Sequence, residues 1–228
     1  MSYFNYKKSV TILGLIIGSL ILCKPCVLSA QGAAENASEV LKKMNGAIES
    51  MGAMALEFSV NLGTGVKEDY LLGSAEVQGN SFKMVSPDFE IFCDGISKWI
   101  LNVNSDELTI LPNDTAQTDM LENPVGFLKS LSNEKSSGYK YPQKASSSAD
   151  GKQWHVEMTP SAKNSLCKSL KVSLDKSSYL PRSIIYTGAD GSTYEIELTT
   201  LKKMVERSGE NFVFPADRMK GLQVNDLR

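Results

Sequence analysis

One histidine, His155, stands among the 228 residues of the chain. A hydrolytic triad needs an imidazole between a serine and a carboxylate, and a His-rich zinc site needs several imidazoles. His155 alternates with Trp154 and Val156, so a strand turns it to the side away from its apolar neighbours. Serines are plentiful, yet no Gly-x-Ser-x-Gly elbow is present to raise one out of a sheet. Asp94, Asp150 and Asp190 each precede a glycine, which is turn chemistry before it is acid–base chemistry. No Gly-rich loop opens a helix to cradle a phosphate. The residues therefore argue against an enzyme: no catalytic residue, no metal site and no cofactor is expected.

Thiols are the other reactive groups, and their number depends on the first thirty residues. Lys7 and Lys8 precede an apolar run from Val10 to Leu22 and a small-residue stretch that ends at Ser29–Ala30, the order of a secretory signal peptide. The run of about thirteen residues is shorter than the roughly 20 that span a bilayer. Cys23 follows Leu22 and Cys26 follows Pro25, where lipid attachment wants a small residue. Residues 1–30 are read as a cleaved leader and 31–228 as one exported domain. Only Cys93 and Cys167 then remain, in a compartment where a disulfide can persist. Alternation puts Cys93 on the face of Phe89 and Ile91, and Cys167 on the face opposite Leu170, Val172 and Leu174. Opposite faces of a sheet seldom meet bridging geometry, so two free thiols are expected. Cleavage also removes Lys7, Lys8 and Lys24 and no acid, leaving 21 basic against 26 acidic groups, a net charge of −5. Nucleic acid is not an expected partner of such a surface.

What remains is apolar surface, and the elements that must present it. Ala37, Leu41, Met44, Ile48 and Met51 form a helical stripe over 36–51, opened by Asn36 and Glu39 and stopped by Gly52. Beyond Gly52 the period is two: Leu56, Phe58, Val60 and Leu62 alternate with polar or small residues. Further strands read as Tyr70–Gln78, Phe82–Val85, Phe89–Cys93, Ser97–Val103 and Glu107–Leu111, then Gln153–Met158, Leu166–Leu174, Leu180–Thr187 and Thr193–Leu201. Short Asp-Gly and Asn/Ser turns join them, so ten to eleven strands in up-and-down antiparallel order are expected, curved into one sheet. The connection from Pro112 to Ser132 is too long for a hairpin. Asn113-Asp114-Thr115 and Asn123-Pro124 read as helix starts, and Val125, Phe127, Leu128 and Leu131 as a short apolar helix. Such a connection is either a lid or a plug at one end of the sheet.

The order of motifs is specific. The strand motif Leu-Glu-Phe-Ser-Val (Leu56–Val60) leads to Leu72-Gly73-Ser74-Ala75-Glu76 and Phe82-Lys83-Met84-Val85-Ser86-Pro87. Asp94-Gly95-Ile96-Ser97-Lys98-Trp99, Asn123-Pro124-Val125-Gly126-Phe127-Leu128 and Leu180-Pro181-Arg182-Ser183-Ile184 follow. The chain closes on Phe212-Val213-Phe214-Pro215 and Val224-Asn225-Asp226-Leu227-Arg228. Over essentially the whole of 31–228 this resembles the periplasmic outer-membrane lipoprotein carrier family, LolA. The resemblance implies a mainly β fold, an incomplete half-open antiparallel barrel with a helical lid over its concave face. It implies a monomeric carrier that shields lipoprotein acyl chains, receives them from an ATP-driven ABC-type complex of the inner membrane and passes them toward an outer-membrane receptor. Related half-barrels sense envelope stress or bind other lipids, which keeps a sensor or interaction module open as the alternative. One departure stands out: Gln78-Gly79-Asn80-Ser81 lies where proteobacterial members carry the Arg-Pro that ties the lid shut.

Parity then assigns the acyl-binding wall: Phe58, Val60, Phe82, Met84, Phe89, Ile91, Trp99, Leu101 and Leu108, with Leu170, Val172 and Leu174 across the sheet. Phe127, Leu128 and Leu131 are the lid residues. Met44, Met51, Met54, Met84, Met120 and Met158 lie in or beside these elements; they either fill core gaps or make the cavity adaptable.

Overall fold

The computed structural model describes residues 34–63, 68–114, 124–163 and 165–228. The leader and Met120 lie outside the described residues. The stripe beginning at Ala37 forms helix α1 (Ala37–Met51), whose N-cap Asn36 accepts the Glu39 N–H at 3.2 Å. Gly52, at φ 67°, ends the helix in a conformation that only glycine adopts cheaply. Ala37, Val40, Leu41, Met44, Ile48 and Met51 are its buried face.

A meander follows: β1 (Ala53–Gly63), β2 (Glu68–Gln78), β3 (Ser81–Val85), β4 (Phe89–Cys93), β5 (Ser97–Asn102) and β6 (Glu107–Pro112). The long connection carries α2 (Pro124–Ser130), α3 (Glu134–Ser137) and the short strands β7 (Tyr139–Lys140) and β8 (Ser146–Ser147). A second meander holds β9 (Gln153–Pro160), β10 (Cys167–Asp175), β11 (Pro181–Gly188) and β12 (Thr193–Lys203). The terminal segment makes two 3₁₀ turns, Gly209–Phe212 and Ala216–Met219, before β13 (Gln223–Asp226).

All thirteen strands join one sheet in the order β13-β6-β5-β4-β3-β2-β1-β12-β11-β10-β9-β7, with β8 on β9. The path does not close, so the sheet is the half-open barrel expected. Its connectivity departs from a plain up-and-down order in two places. The two meanders are joined side by side through β1 and β12, and β13 runs parallel to β6. The periodicity missed β7, β8 and β13 because strands of two to four residues carry too few alternations to register. Irregularities at Glu57/Phe58, Cys167/Ser169 and Ser173/Leu174 interrupt the ladders, and such bulges sharpen twist and bend a sheet.

The sheet has apolar residues on both faces. Inward residues of β9, β10 and β11 (Trp154, Val156, Met158, Leu170, Val172, Leu174 and Ile184) form one core with the buried face of α1. A second core lies on the convex side: Phe92, Trp99, Leu101, Leu108 and Ile110 under Phe214, with Met219 and Leu222 alongside. Residues 204–228 form a strap that holds this second core. The Phe92 and Phe214 rings meet edge to face at 5.3 Å. Arg218 lies over the Phe214 ring and grips both carboxylate oxygens of Glu90 at 2.8 and 2.9 Å. That guanidinium holds the Glu90 carboxyl below its ordinary range.

Cys93 and Cys167, the cysteines among the described residues, are free and buried, but one reaches that state by a route the alternation did not show. Cys167 pairs with Gly188 and Ser169 with Thr187, so Lys168 is bulged out and the alternation slips. Cys167 therefore turns to Tyr139 and Tyr186, which pack against the inner core, rather than to the opposite face. Burial pushes both thiols up. In the native protein at pH 8, a thiol reagent is expected to modify neither cysteine at the rate seen after denaturation, which should expose both. Fast reaction of either one before unfolding contradicts this burial.

Candidate functional site

The site is built where the two meanders meet. Register sets its wall: Phe58 faces Gly73 on one side and Leu198 on the other, and Leu56 faces Ala75 and Leu201. Leu201 and Leu198 are three apart, which in a regular strand would put them on opposite faces. The bulge at Thr199 absorbs the extra residue, and the Thr199 hydroxyl donates to the Glu57 carbonyl at 3.2 Å. Gly73 is required by Phe58: a Cβ there would lie 2.3 Å from the ring's Cζ.

These residues enclose a cavity of about 110 Å³ on the concave face. It is lined by Met54, Leu56, Phe58 and Val60 of β1, Ala75 and Val77 of β2, Phe82 and Met84 of β3, and Ile184, Ile196, Leu198 and Leu201 of β11 and β12. Pro181, Ile48 of α1 and Leu128 of α2 complete it. All fifteen are apolar, so the site has nothing with which to orient a polar group. An apolar chain is the ligand chemistry such a lining accepts.

Phe58, Val60, Phe82 and Met84 are thus brought to one cavity as the alternation indicated. Ile91 packs against the inner core beside them, and Phe89, on the same face at the start of β4, is 41% exposed. Leu170, Val172 and Leu174 point inward but are fully buried in the core shared with α1, away from the cavity lining. Trp99, Leu101 and Leu108 are on the other face. Ile91 pairs with Ile100, which fixes Trp99 opposite Phe92 and Leu101 opposite Leu108, in the convex core. β5 is apolar on both sides, so alternation alone could not tell which face was inside. The strap, whose Phe214 covers the outer set, decides it.

Ten further lining residues were not assigned from the sequence. Leu56 had the signal, sharing the alternation of Phe58 and Val60. Leu198 and Leu201 were hidden by the bulge, and Ile48 by belonging to the helix that fills the concavity. Of the methionines, Met54 and Met84 line the cavity, whereas Met44, Met51 and Met158 are core.

The helix expected at Val125 is α2, with Phe127 buried and Leu128 on the cavity, and Leu131, one residue past its end, is buried too. At the other expected helix start the Asn113 N–H donates to the Ile96 carbonyl at 2.7 Å, and the helix it would open falls on the residues that follow. Residues 115–123 lie outside the described residues. Gln78, in the stretch where the sequence departs from the LolA pattern, bonds the strap: its side chain exchanges two hydrogen bonds with the Arg207 backbone, at 2.8 and 3.1 Å. The lid's polar tether comes from another residue, Tyr141, whose hydroxyl donates to the Leu131 carbonyl at 2.6 Å. On the convex face, half-buried His155 has Nδ1 3.0 Å from the Ser173 hydroxyl, and burial lowers the imidazole's pKa. Ser173 lies within the regular β9–β10 ladder, not on an exposed turn.

No protein-family model matches the chain, and no curated protein matches it in sequence. Among solved structures, an uncharacterized conserved protein from Thermus thermophilus aligns over 83% of this chain and 98% of its own, at 11% identity and a TM-score of 0.54. A LolA superfamily protein from Nitrosomonas europaea aligns over 78% and 98% at 12% identity and a TM-score of 0.44. A chain of the Pseudomonas aeruginosa MucA/MucB complex aligns over 79% and 62% at 14% identity and a TM-score of 0.46. The likeness is one of fold: this chain is built like the Thermus thermophilus protein, as the half-open barrel that the LolA resemblance implied.

Proposed function

We propose that this chain is a periplasmic carrier that takes lipoprotein acyl chains into the concave cavity and ferries them from the inner to the outer membrane. The observation that carries the reading is the all-apolar cavity closed by Leu128 of α2. Acyl chains need such a shield, because exposing each CH₂ to water costs about 0.8 kcal/mol. Three chains of about fifteen methylenes represent about 36 kcal/mol on that scale. At about 110 Å³ the cavity is smaller than the roughly 300–1,000 Å³ of drug-sized ligand sites. Loading thus requires α2 to move and the wall to adapt, which Met54 and Met84 suit. The reading is of a binding protein rather than an enzyme. Its donor is an ATP-driven inner-membrane complex and its acceptor an outer-membrane receptor.

A neutral, environment-sensitive acyl probe tests it. Saturable binding is expected, and Gly73→Val should weaken it at least about tenfold, because the new side chain drives the Phe58 ring into the free space beside it. Protein purified from its native periplasm should release acylated material on extraction. No probe binding by the wild type, together with clean extracts, overturns the carrier and favours the interaction module.

A further inference from the structure

The cavity has a neighbour at the end where α1 stops. Ile48, Met54 and Val77 line both the closed cavity and an adjoining recess of about 360 Å³. The rest of that recess is polar: Glu49 and Gly52 close α1, Gln78 and Gly79 form the β2–β3 turn, Lys129 sits in the last turn of α2 and Glu206 comes from the strap. An apolar floor shared with the cavity beneath a polar rim is the arrangement an amphiphile requires, tail inward and head at the rim. One side of the rim is fixed, since Gln78 is bonded to the strap backbone. The other side is the lid helix itself.

The rim also has a sign. Two carboxylates, Glu49 and Glu206, face one ammonium, Lys129. Arg207, next along the strap, lies 3.5 Å from Glu76, which answers its charge. The C-terminal end of α1 adds its own partial negative charge, and no basic residue occupies its last turn. One helical turn earlier, Asn45 donates its amide to Glu49 at 3.1 Å. This edge of the molecule offers acceptors.

We infer that the recess is the mouth through which acyl chains pass into the cavity. It seats the polar end of an amphiphile that carries a positive charge, such as an alkylammonium or a lipid with a free amine, in preference to an anionic head. The inference rests on the cavity being an acyl site, and the experiment separates the two. Three probes share one dodecyl chain and differ in head: dodecyltrimethylammonium, dodecyl sulfate and neutral dodecyl maltoside. Each is titrated below its micelle concentration against a neutral fluorescent acyl probe bound to the protein. At low ionic strength the ammonium should displace the reporter about three- to fivefold more tightly than the sulfate, the scale of exposed charge pairs. Added salt should shrink that ratio. Glu49→Gln with Glu206→Gln should erase it, and Lys129→Gln should widen it. Glu49 and Glu206 are exposed, so these variants leave the core intact. Equal displacement by all three heads, or a preference that survives the double variant, overturns the mouth and leaves the cavity standing. If the neutral reporter itself does not bind, the acyl reading fails and the mouth with it.

Discussion

Leu128→Asp should hold the lid open and speed the release of a bound acyl probe by about two orders of magnitude. Leu128 contributes to a cavity whose other lining residues are all apolar, so a carboxylate there meets no donor. The closed state loses the burial of a leucine, worth about 1.5–3 kcal/mol. It also places a partly desolvated carboxylate against an apolar lining, a further cost. Leu128 is only partly buried, so the two costs together come to about 2.7 kcal/mol, which corresponds to the hundredfold change expected. Two measurements read it: stopped-flow release of the probe, and amide hydrogen exchange in Pro124–Ser130. Wild-type release kinetics with undiminished protection of that helix would identify α2 as a plug rather than a gate. Burial of Phe127 and Leu131, at about 1.5–3 kcal/mol each, opposes opening by roughly 3–6 kcal/mol without an arginine.

The second large effect belongs to the opposite face. Phe214→Ala should destabilise the protein by about 3–5 kcal/mol, the usual cost of removing a buried aromatic ring. Phe214 is 1% exposed and caps Phe92, Trp99, Leu101, Leu108 and Ile110. Its loss leaves a void and frees Arg218 from the ring it covers. None of these side chains lines the cavity, so acyl-probe affinity of the folded variant should stay at the wild-type value. Trp99→Ala should behave alike. Denaturant titration gives the stability change and probe titration the affinity. Lost affinity in a still-folded Phe214→Ala protein would return Trp99, Leu101 and Leu108 to the binding wall.

That contrast marks where alternation stops being informative. The stripe of α1, the strand-rich remainder and the inward turn of Phe127 and Leu131 were legible because each has one apolar face. The wall at Phe58, Val60, Phe82 and Met84 was legible for the same reason. β5 carries Trp99 and Leu101 on one face and Ile100 on the other, and its inside is set by a strap more than a hundred residues downstream in the chain. The bulges at Thr199 and Lys168 shift parity by one, and one slipped residue moves a side chain to the wrong face. The resemblance supplied the architecture; the outer core and the β1–β12 seam came only with the structure.

The seam has a consequence for how the protein comes into being. Met54 pairs with Lys203 and Gly63 with Thr193, so the first strand finds its second neighbour only after the twelfth has been made. Each meander can zip from its own short turns, but their union must close a loop containing almost everything between them, an entropic cost met before any contact rewards it. Such non-local pairing slows folding. During that interval the edges of β1 and β12 and the apolar wall beside them are unsatisfied, which is the condition under which strands pair with the wrong chain. A chain with this topology is most prone to mispairing before its cavity exists, when the apolar wall that will line it still faces water.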